Sequence, residues 1–294
     1  MRSIYTSDDS TGILAQRYNA FLERWPVHAE RLHLSTRQGE TFVMACGPEN
    51  APSLILLHGS AANSAMWGDD VALWARHFRV YTIDVIGEPG LSAPSRPALG
   101  SDDYALWLDD VLDALNVTSA AFVGASFGGW LALDYTIRRP TRVDSLALRC
   151  PGGIGRQKAG VLVASLFLLP FGAHGRRVMM KLALGPSSAL TGATAQERSL
   201  GEYVLLIHKH FRPRREKLPV FEDSDLAALG VPVHVTLGGR DRLIDSHDTR
   251  RRLQQVAPRS LVTFIPEAGH LLRNQAQPVL DFLLPGGPTR AALR

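Results

Sequence analysis

The sequence is poor in cysteine and in long apolar runs, and each shortage excludes a class of protein. Two cysteines in 294 residues are too few for a disulfide framework or a cysteine-based zinc site, so Cys46 and Cys150 are expected to be buried thiols. The longest apolar run, 160–172, is shorter than the roughly 18 residues of a membrane span and contains Pro170. The opening MRSIYTSDDSTG lacks the apolar segment of a signal peptide. These features predict a cytoplasmic protein without stable membrane insertion.

The sequence also lacks a large excess of either charge. It has 32 Lys and Arg against 28 Asp and Glu, a difference that affects solubility and weak association rather than fold. The densest basic stretch, HKHFRPRREK (208–217), accompanies no nucleic-acid reader motif. We therefore expect a solvated surface segment, with His208 and His210 exposed, and no nucleic-acid partner.

Short apolar runs alternate with helical patterns, which predicts an α/β fold. SLILLHG (53–59) is a continuous apolar run ending in glycine, typical of a strand buried on both faces of a parallel sheet. A helix over 8–25 and a hairpin formed by RLHLST and ETFVMACG precede it. The alternation predicts a mostly parallel sheet with helices on both faces. Five later runs repeat the buried-strand pattern: RVYTIDV, AAFVGAS, VDSLALRC, VPVHVTLGG and SLVTFIPEAG.

One stretch interrupts the alternation. Between Pro151 and about Asp225 the chain reads as helical without a clear strand, and it is too long for an ordinary loop between strand and helix. We predict an inserted helical cap whose apolar residues, including VLVASLFLLPF, mostly pack onto the core. The predicted organisation is an N-terminal helical extension (1–29), a core (30–152 and 226–285), the cap (153–225) and a tail (286–294).

A serine between glycines is the candidate nucleophile. In GASFGG, Ser126 lies between Gly124 and Gly128, after a predicted strand and before a predicted helix. A sharp strand-to-helix turn needs small neighbours and would present the hydroxyl above the sheet. The pattern alone is weak, because a Gly-rich connection also produces it.

A serine hydroxyl needs a base, and His270 is the best placed of ten histidines. It follows the last predicted strand in a glycine-containing loop, where parallel-sheet proteins assemble their sites. His58 also ends a strand, but we expect it to orient its loop by hydrogen bonding. His247 is expected in the first turn of a helix.

The third group should be a carboxylate that orients the imidazole. Asp241 follows a buried strand and two glycines in VTLGGRD, and the order Ser126, Asp241, His270 is that of one particular fold. An ordinary surface acid is the alternative. Asp245 is expected to be a helix N-cap, and Asp84 to hold neighbouring turns.

An oxyanion site needs two backbone N–H donors. We assign these to Phe127, which follows the candidate nucleophile, and to Ser60 in the turn after His58. Met66, Trp67 and Leu271 lie in or beside the same loops and are expected to line an apolar pocket.

These segments resemble the α/β-hydrolase superfamily over roughly residues 30–285, and within it bacterial carboxylesterases that share the N-terminal helix and a W-P-V stretch. The resemblance is carried by LLHGSAANSAMW, TIDVIGEPGLSAP, FVGASFGGWLALDYTIRRPTRV, LGGRDRLI and PEAGH. It implies an eight-stranded sheet, a helical cap and a Ser-His-Asp triad, with no metal or organic cofactor. Ser126 separates the chain from the haloalkane dehalogenases and epoxide hydrolases, which have Asp at that position.

The predicted function is hydrolysis of a carboxylic ester of a small, largely apolar substrate through an acyl-enzyme. Fold and triad fix the activation chemistry and not the pocket. A thioesterase, a lactonase or a carbon–carbon bond hydrolase is therefore an alternative, as are a tailoring enzyme or a ligand receptor on the same fold. A lipase acting at a membrane surface through the apolar cap is a further one.

Overall fold

A computed structural model describes residues 3–185, 194–284 and 286. These contain eight strands: β1 (Ala29–Thr36), β2 (Gly39–Cys46), β3 (Ser53–Leu57), β4 (Arg79–Ile83), β5 (Ala120–Ala125), β6 (Val143–Arg149), β7 (Val233–Gly238) and β8 (Leu261–Ile265). They form one sheet in the order β1-β2-β4-β3-β5-β6-β7-β8. Every neighbouring pair from β4 to β8 is parallel, whereas β1 with β2 and β2 with β4 are antiparallel. The predicted mostly parallel α/β sheet is confirmed.

Helices cover both faces of the sheet. They are α1 (Asp9–Leu22), α2 (Gly68–Trp74), α3 (Asp103–Ala114), α4 (Phe127–Arg138), α5 (Gly160–Leu168), α6 (Gly172–Leu184), α7 (Ala195–His210), α8 (Asp223–Ala227), α9 (Ser246–Val256) and α10 (Ala276–Leu283). One core cluster joins the sheet to α3, α4 and α9, as through Val111, Trp130 and Leu253. A second joins it to α2 and α10, through Trp74 and Phe282. Both faces are thus apolar, which is why the central strands read as continuous apolar runs.

The last strand departs from the predicted pattern. All six residues of β5 are buried, but all five residues of β8 are partly exposed. The strand β8 lies at the edge of the sheet, so one side has no neighbouring strand to cover it. The expectation that SLVTFIPEAG forms a strand buried on both faces is wrong.

The described part of the segment between β6 and β7 contains four α-helices, α5, α6, α7 and α8, and no strand. Its apolar side chains do not all pack inward. Val163, Leu166, Phe167 and Phe171 are 51%, 70%, 70% and 70% exposed, so for these four the predicted packing onto the core is wrong. The predicted tail, 286–294, lies outside the described residues except for Gly286.

The basic stretch 208–217 is not a freely solvated segment. His208 and His210 are partly buried, and burial lowers the pKa of His208 to about 4. The Arg212 side chain donates to the carbonyls of Ser3 and Thr6, and the Arg214 guanidinium donates to the Pro97 carbonyl and the Tyr104 hydroxyl. The prediction of exposed histidines is wrong, and that of a solvated segment is correct only in part, since Lys209, Arg215 and Lys217 are exposed. The sequence did not reveal that the rest of this stretch packs along the N-terminus and the loop after β4.

No helix in the described ranges is both long and apolar enough to cross a bilayer.

Candidate active site

The candidate nucleophile lies at a strained turn between β5 and α4. Ser126 has φ 51° and ψ −109°, a left-handed conformation that costs of order 1–3 kcal/mol in a non-glycine residue. Its backbone N–H donates to the Arg149 carbonyl at 2.9 Å, and its carbonyl accepts the Gly152 N–H at 3.2 Å. These bonds hold the turn against the carboxyl end of the neighbouring strand β6.

The flanking glycines have a steric cause. A Cβ on Gly128 would lie 2.0 Å from the Leu57 carbonyl oxygen, and one on Gly124 would lie 2.5 Å from the Gly128 carbonyl oxygen. Such distances are far inside van der Waals contact. The predicted need for small neighbours around Ser126 is therefore confirmed.

Asp241 and His270 are in direct contact. The Asp241 Oδ2 lies 2.7 Å from the His270 Nδ1, and the other carboxylate oxygen accepts the N–H groups of Leu243 and Ile244 at 2.7 and 3.0 Å. The Asp241 side chain is fully buried. Burial by itself raises the pKa of Asp241, but the facing His270 and these hydrogen bonds outweigh it and hold the pKa below its ordinary value. The lowered pKa favours the ionised carboxylate, which faces the imidazole with both of its oxygens hydrogen-bonded.

Cys150 lies beside this pair, a placement that the sequence interpretation missed. Its Sγ, a carboxylate oxygen of Asp241 and a ring nitrogen of His270 all lie within 4.8 Å of one another. Burial raises the pKa of the Cys150 thiol well above its usual value, and the neighbouring Asp241 carboxylate raises it further. A raised pKa favours the protonated thiol, which is a weaker nucleophile than the thiolate. The sequence could have indicated this placement, because Cys150 directly follows strand β6, and the candidate site assembles at the carboxyl-terminal ends of the strands.

Cysteine, aspartate and histidine are also a donor set that a zinc ion uses. Here the His270 Nδ1 already shares a hydrogen bond with the Asp241 carboxylate, so neither of these two atoms is a free ligand. The arrangement fits a hydrogen-bonded acid–base pair better than a metal centre.

His58 and Asp84 support the loops, as predicted. The fully buried His58 accepts the Val85 N–H at Nε2 (2.9 Å), and burial lowers its pKa. The buried Asp84 accepts hydrogen bonds from the Tyr18 hydroxyl, from the N–H and hydroxyl of Ser64, and from the Leu91 N–H. Both side chains thus form hydrogen bonds that link neighbouring segments.

The alternative acid and base, Asp245 and His247, lie where the sequence predicts them. Asp245 caps α9 and accepts the Asp248 N–H at 3.2 Å. His247 is in the first turn of that helix, with its ring 4.9 Å from the Phe264 ring. Neither contacts the Asp241–His270 pair in the hydrogen bonds of the described chain.

The loop after β3 lies against the turn at Ser126. A Cβ on Gly59 would lie 3.5 Å from the Ser126 Cβ, and Ala61 has φ 54°. Phe127 is the first residue of α4, where a backbone N–H has no acceptor within the helix. Both predicted oxyanion donors, Ser60 and Phe127, thus belong to segments adjacent to Ser126.

Glu88 holds this loop and was not found from the sequence. It is 1% exposed, and its Oε2 accepts the Ala61 N–H at 2.6 Å and the Ser60 hydroxyl at 3.3 Å. Burial raises its pKa to about 7, against the lowering effects of the Ala61 N–H, Arg96, the Ser60 hydroxyl and Arg214. A glutamate in a loop carries no sequence signal of burial, because the acid is buried only when the loops meet.

The three predicted pocket residues have different surroundings. Met66 lines a cavity of about 270 Å³ that is bordered also by Trp25 and Leu200 and includes none of the candidate catalytic side chains. Trp67 is 0% exposed beneath the Arg149 guanidinium, so in this conformation it cannot contact a substrate. The partly buried Leu271 donates its N–H to the Leu184 carbonyl at 3.0 Å.

The loop of His270 contacts the end of α6 through two glycines. A Cβ on Gly269 would lie 2.6 Å from the Gly185 Cα, and Gly185 has φ 91°. Only glycines allow this backbone approach. The end of α6 and the histidine loop therefore meet next to the candidate base.

Known proteins share the sequence pattern and the fold of this chain. The sequence pattern of the alpha/beta hydrolase family matches residues 54–282. Carboxylesterase YbfK from Bacillus subtilis is 31% identical over 92% of this chain and 93% of its own, and its crystal structure superposes with a TM-score of 0.81 over 94% and 98%. The crystal structure of the Bacillus subtilis naproxen esterase is 30% identical, with a TM-score of 0.79 over 93% of this chain and 95% of its own. The chain belongs to the alpha/beta hydrolase family.

Proposed function

We propose that the protein is a serine hydrolase that cleaves carboxylic esters of small, largely apolar molecules. The observation that carries the proposal is the 2.7 Å distance between the Asp241 Oδ2 and the His270 Nδ1. This pair lies at the carboxyl-terminal end of the parallel strands, where Ser126 occupies a left-handed turn. A carboxylate-bound imidazole and a sterically enforced serine turn are the parts that this chemistry needs. The relatives named as carboxylesterases support esters as the substrate class.

In this mechanism Asp241 holds the Nδ1–H tautomer of His270, which leaves Nε2 free to take the Ser126 hydroxyl proton. The serine oxygen attacks the ester carbonyl, and the N–H groups of Ser60 and Phe127 bind the oxyanion. His270 then gives the proton to the leaving alcohol. Water, deprotonated by His270, releases the acid and restores the serine.

The substitution Ser126→Ala tests the proposal on a short p-nitrophenyl ester. We expect kcat to fall by about 10³-fold or more, because no other group can form the acyl-enzyme. The matched control is Ser224→Ala, at an exposed serine of α8, which should leave kcat unchanged.

An acyl-chain series of esters and thioesters on the same variants defines the substrate class. We expect ester turnover that depends on Ser126 and is best for short apolar acyl groups. Hydrolysis that survives Ser126→Ala contradicts the nucleophile assignment, and turnover of thioesters alone contradicts the ester assignment.

A further inference from the structure

The helix α5 presents its apolar side to solvent. Val163, Leu166 and Phe167 occupy positions i, i+3 and i+4, which share one helix face, and Phe171 continues the line just beyond the helix end. Their exposed fractions are 51%, 70%, 70% and 70%. These four residues, called the apolar stripe below, are four of the six large exposed apolar side chains in the described chain. Such clustering marks an interaction surface rather than scattered surface residues.

The neighbouring helix α6 adds positive charge. It follows the apolar stripe directly and packs against α5. His174, Arg177 and Lys181 are exposed at i, i+3 and i+7 along one face of this helix. The sequence has no Asp or Glu between Asp144 and Glu197, a stretch with six Lys and Arg.

Acidic contacts near this surface come from another element. Glu202 of α7 lines the same surface depression as Arg176, Arg177 and Lys209, and its carboxylate also lies 3.7 Å from Arg17 of α1. One carboxylate faces three cations there, so the surface stays positive.

We infer that α5 and α6 form a docking face for an anionic lipid bilayer, with the apolar stripe inserted at the headgroup boundary and the α6 cations against lipid phosphates. Apolar side chains beside exposed cations are the pattern of a peripheral membrane helix. A second copy of the chain fits less well, because a two-fold interface would bring the two basic helices towards each other.

Vesicle sedimentation of the full-length protein tests this inference. The probes are vesicles of equal parts phosphatidylcholine and phosphatidylglycerol, and vesicles of phosphatidylcholine alone, each at low and high salt. We expect binding to the anionic vesicles that weakens in high salt. The double variant Leu166→Ser, Phe167→Ser should bind at least about tenfold more weakly, and Arg177→Gln, Lys181→Gln should lose most of the preference for anionic lipid.

Matched variants separate the docking face from general effects. Ile13→Ser removes an apolar side chain that is 39% exposed on α1, and Arg31→Gln with Arg259→Gln removes two exposed charges elsewhere. Both controls should bind vesicles like the wild type. Because Leu166 and Phe167 are exposed, their double variant should also keep its melting temperature.

Three results would overturn the inference. They are no binding to anionic vesicles, equal loss of binding in the controls, and a wild-type dimer in sedimentation velocity that Leu166→Ser, Phe167→Ser dissociates. The last would assign the face to a second copy of the chain.

Discussion

At the residue scale, two aspartates four positions apart in one loop differ in role because of what each contacts. Asp241 is fully buried against His270, whereas Asp245 accepts the backbone N–H of Asp248 at the start of α9. The strand-end position of Asp241 and the N-cap position of Asp245 were both predictable, because each follows from local sequence. The His270 contact depends on bringing the ends of β7 and β8 together.

The substitution Asp241→Asn should lower kcat by about 10³- to 10⁴-fold, because an amide no longer favours the required imidazole tautomer. Asp245→Asn is the control, since asparagine caps a helix as well as aspartate does. Ester-hydrolysis kinetics on both variants check the assignment. Equal losses in the two variants, or a full-rate Asp241→Asn enzyme, would contradict it.

Glu88 makes stability depend on pH. Its pKa is raised from 4.5 to about 7 in the folded protein, so the folded state binds the proton more tightly than the unfolded chain does. The stabilisation is therefore complete below pH 4.5 and is lost as the pH rises through about 7. The glutamine of Glu88→Gln does not titrate. As the pH rises between these limits, the free energy of unfolding of the wild type should therefore fall relative to that of the variant, by at most roughly 3 kcal/mol.

Chemical denaturation of wild type and Glu88→Gln from pH 4.5 to 8 measures this difference. Glu49→Gln, at an exposed position, should show no such trend. A stability difference between Glu88→Gln and wild type that is independent of pH would show that the buried carboxyl is not responsible.

At the scale of elements, apolar periodicity predicts that a segment is a strand or helix more securely than it predicts what covers it. β3 and β5 were predicted correctly as buried strands, because helices pack on both of their faces. β8 and α5 carry similarly apolar sequences, yet one lies at a sheet edge and the other exposes its apolar stripe. What differs between these elements is where each one lies in the assembled fold, and the sequence of the element alone does not determine that.

The junction of β5 and α4 gives a prediction about packing. Gly128→Ala should destabilise the protein by about 3 kcal/mol or more, because the added methyl group would lie 2.0 Å from the Leu57 carbonyl oxygen. Gly12→Ala in α1, with nothing within 4 Å of the new carbon, should stabilise it by about 0.5–1 kcal/mol. Thermal unfolding compares the two, and equal effects would refute the steric explanation.

At the scale of the whole molecule, the candidate site exists only when four strands align. Ser126 follows β5, Cys150 follows β6, Asp241 lies in the loop after β7, and His270 in the loop after β8. Because the strands are parallel, their carboxyl ends lie side by side at one end of the sheet, so residues that follow a strand could be predicted from the sequence as candidate site residues. Glu88 and the Gly185–Gly269 approach could not be nominated, because they depend on how loops pack across the sheet and cap.

The central claim is that Ser126 is a nucleophile activated by His270, and its most direct measurement is covalent labelling of the native protein with a fluorophosphonate. Intact-mass and peptide mass spectrometry should find one adduct, on Ser126, formed rapidly in wild type and at least about 10²-fold more slowly after His270→Ala. No adduct, or an adduct on another residue, would contradict the account.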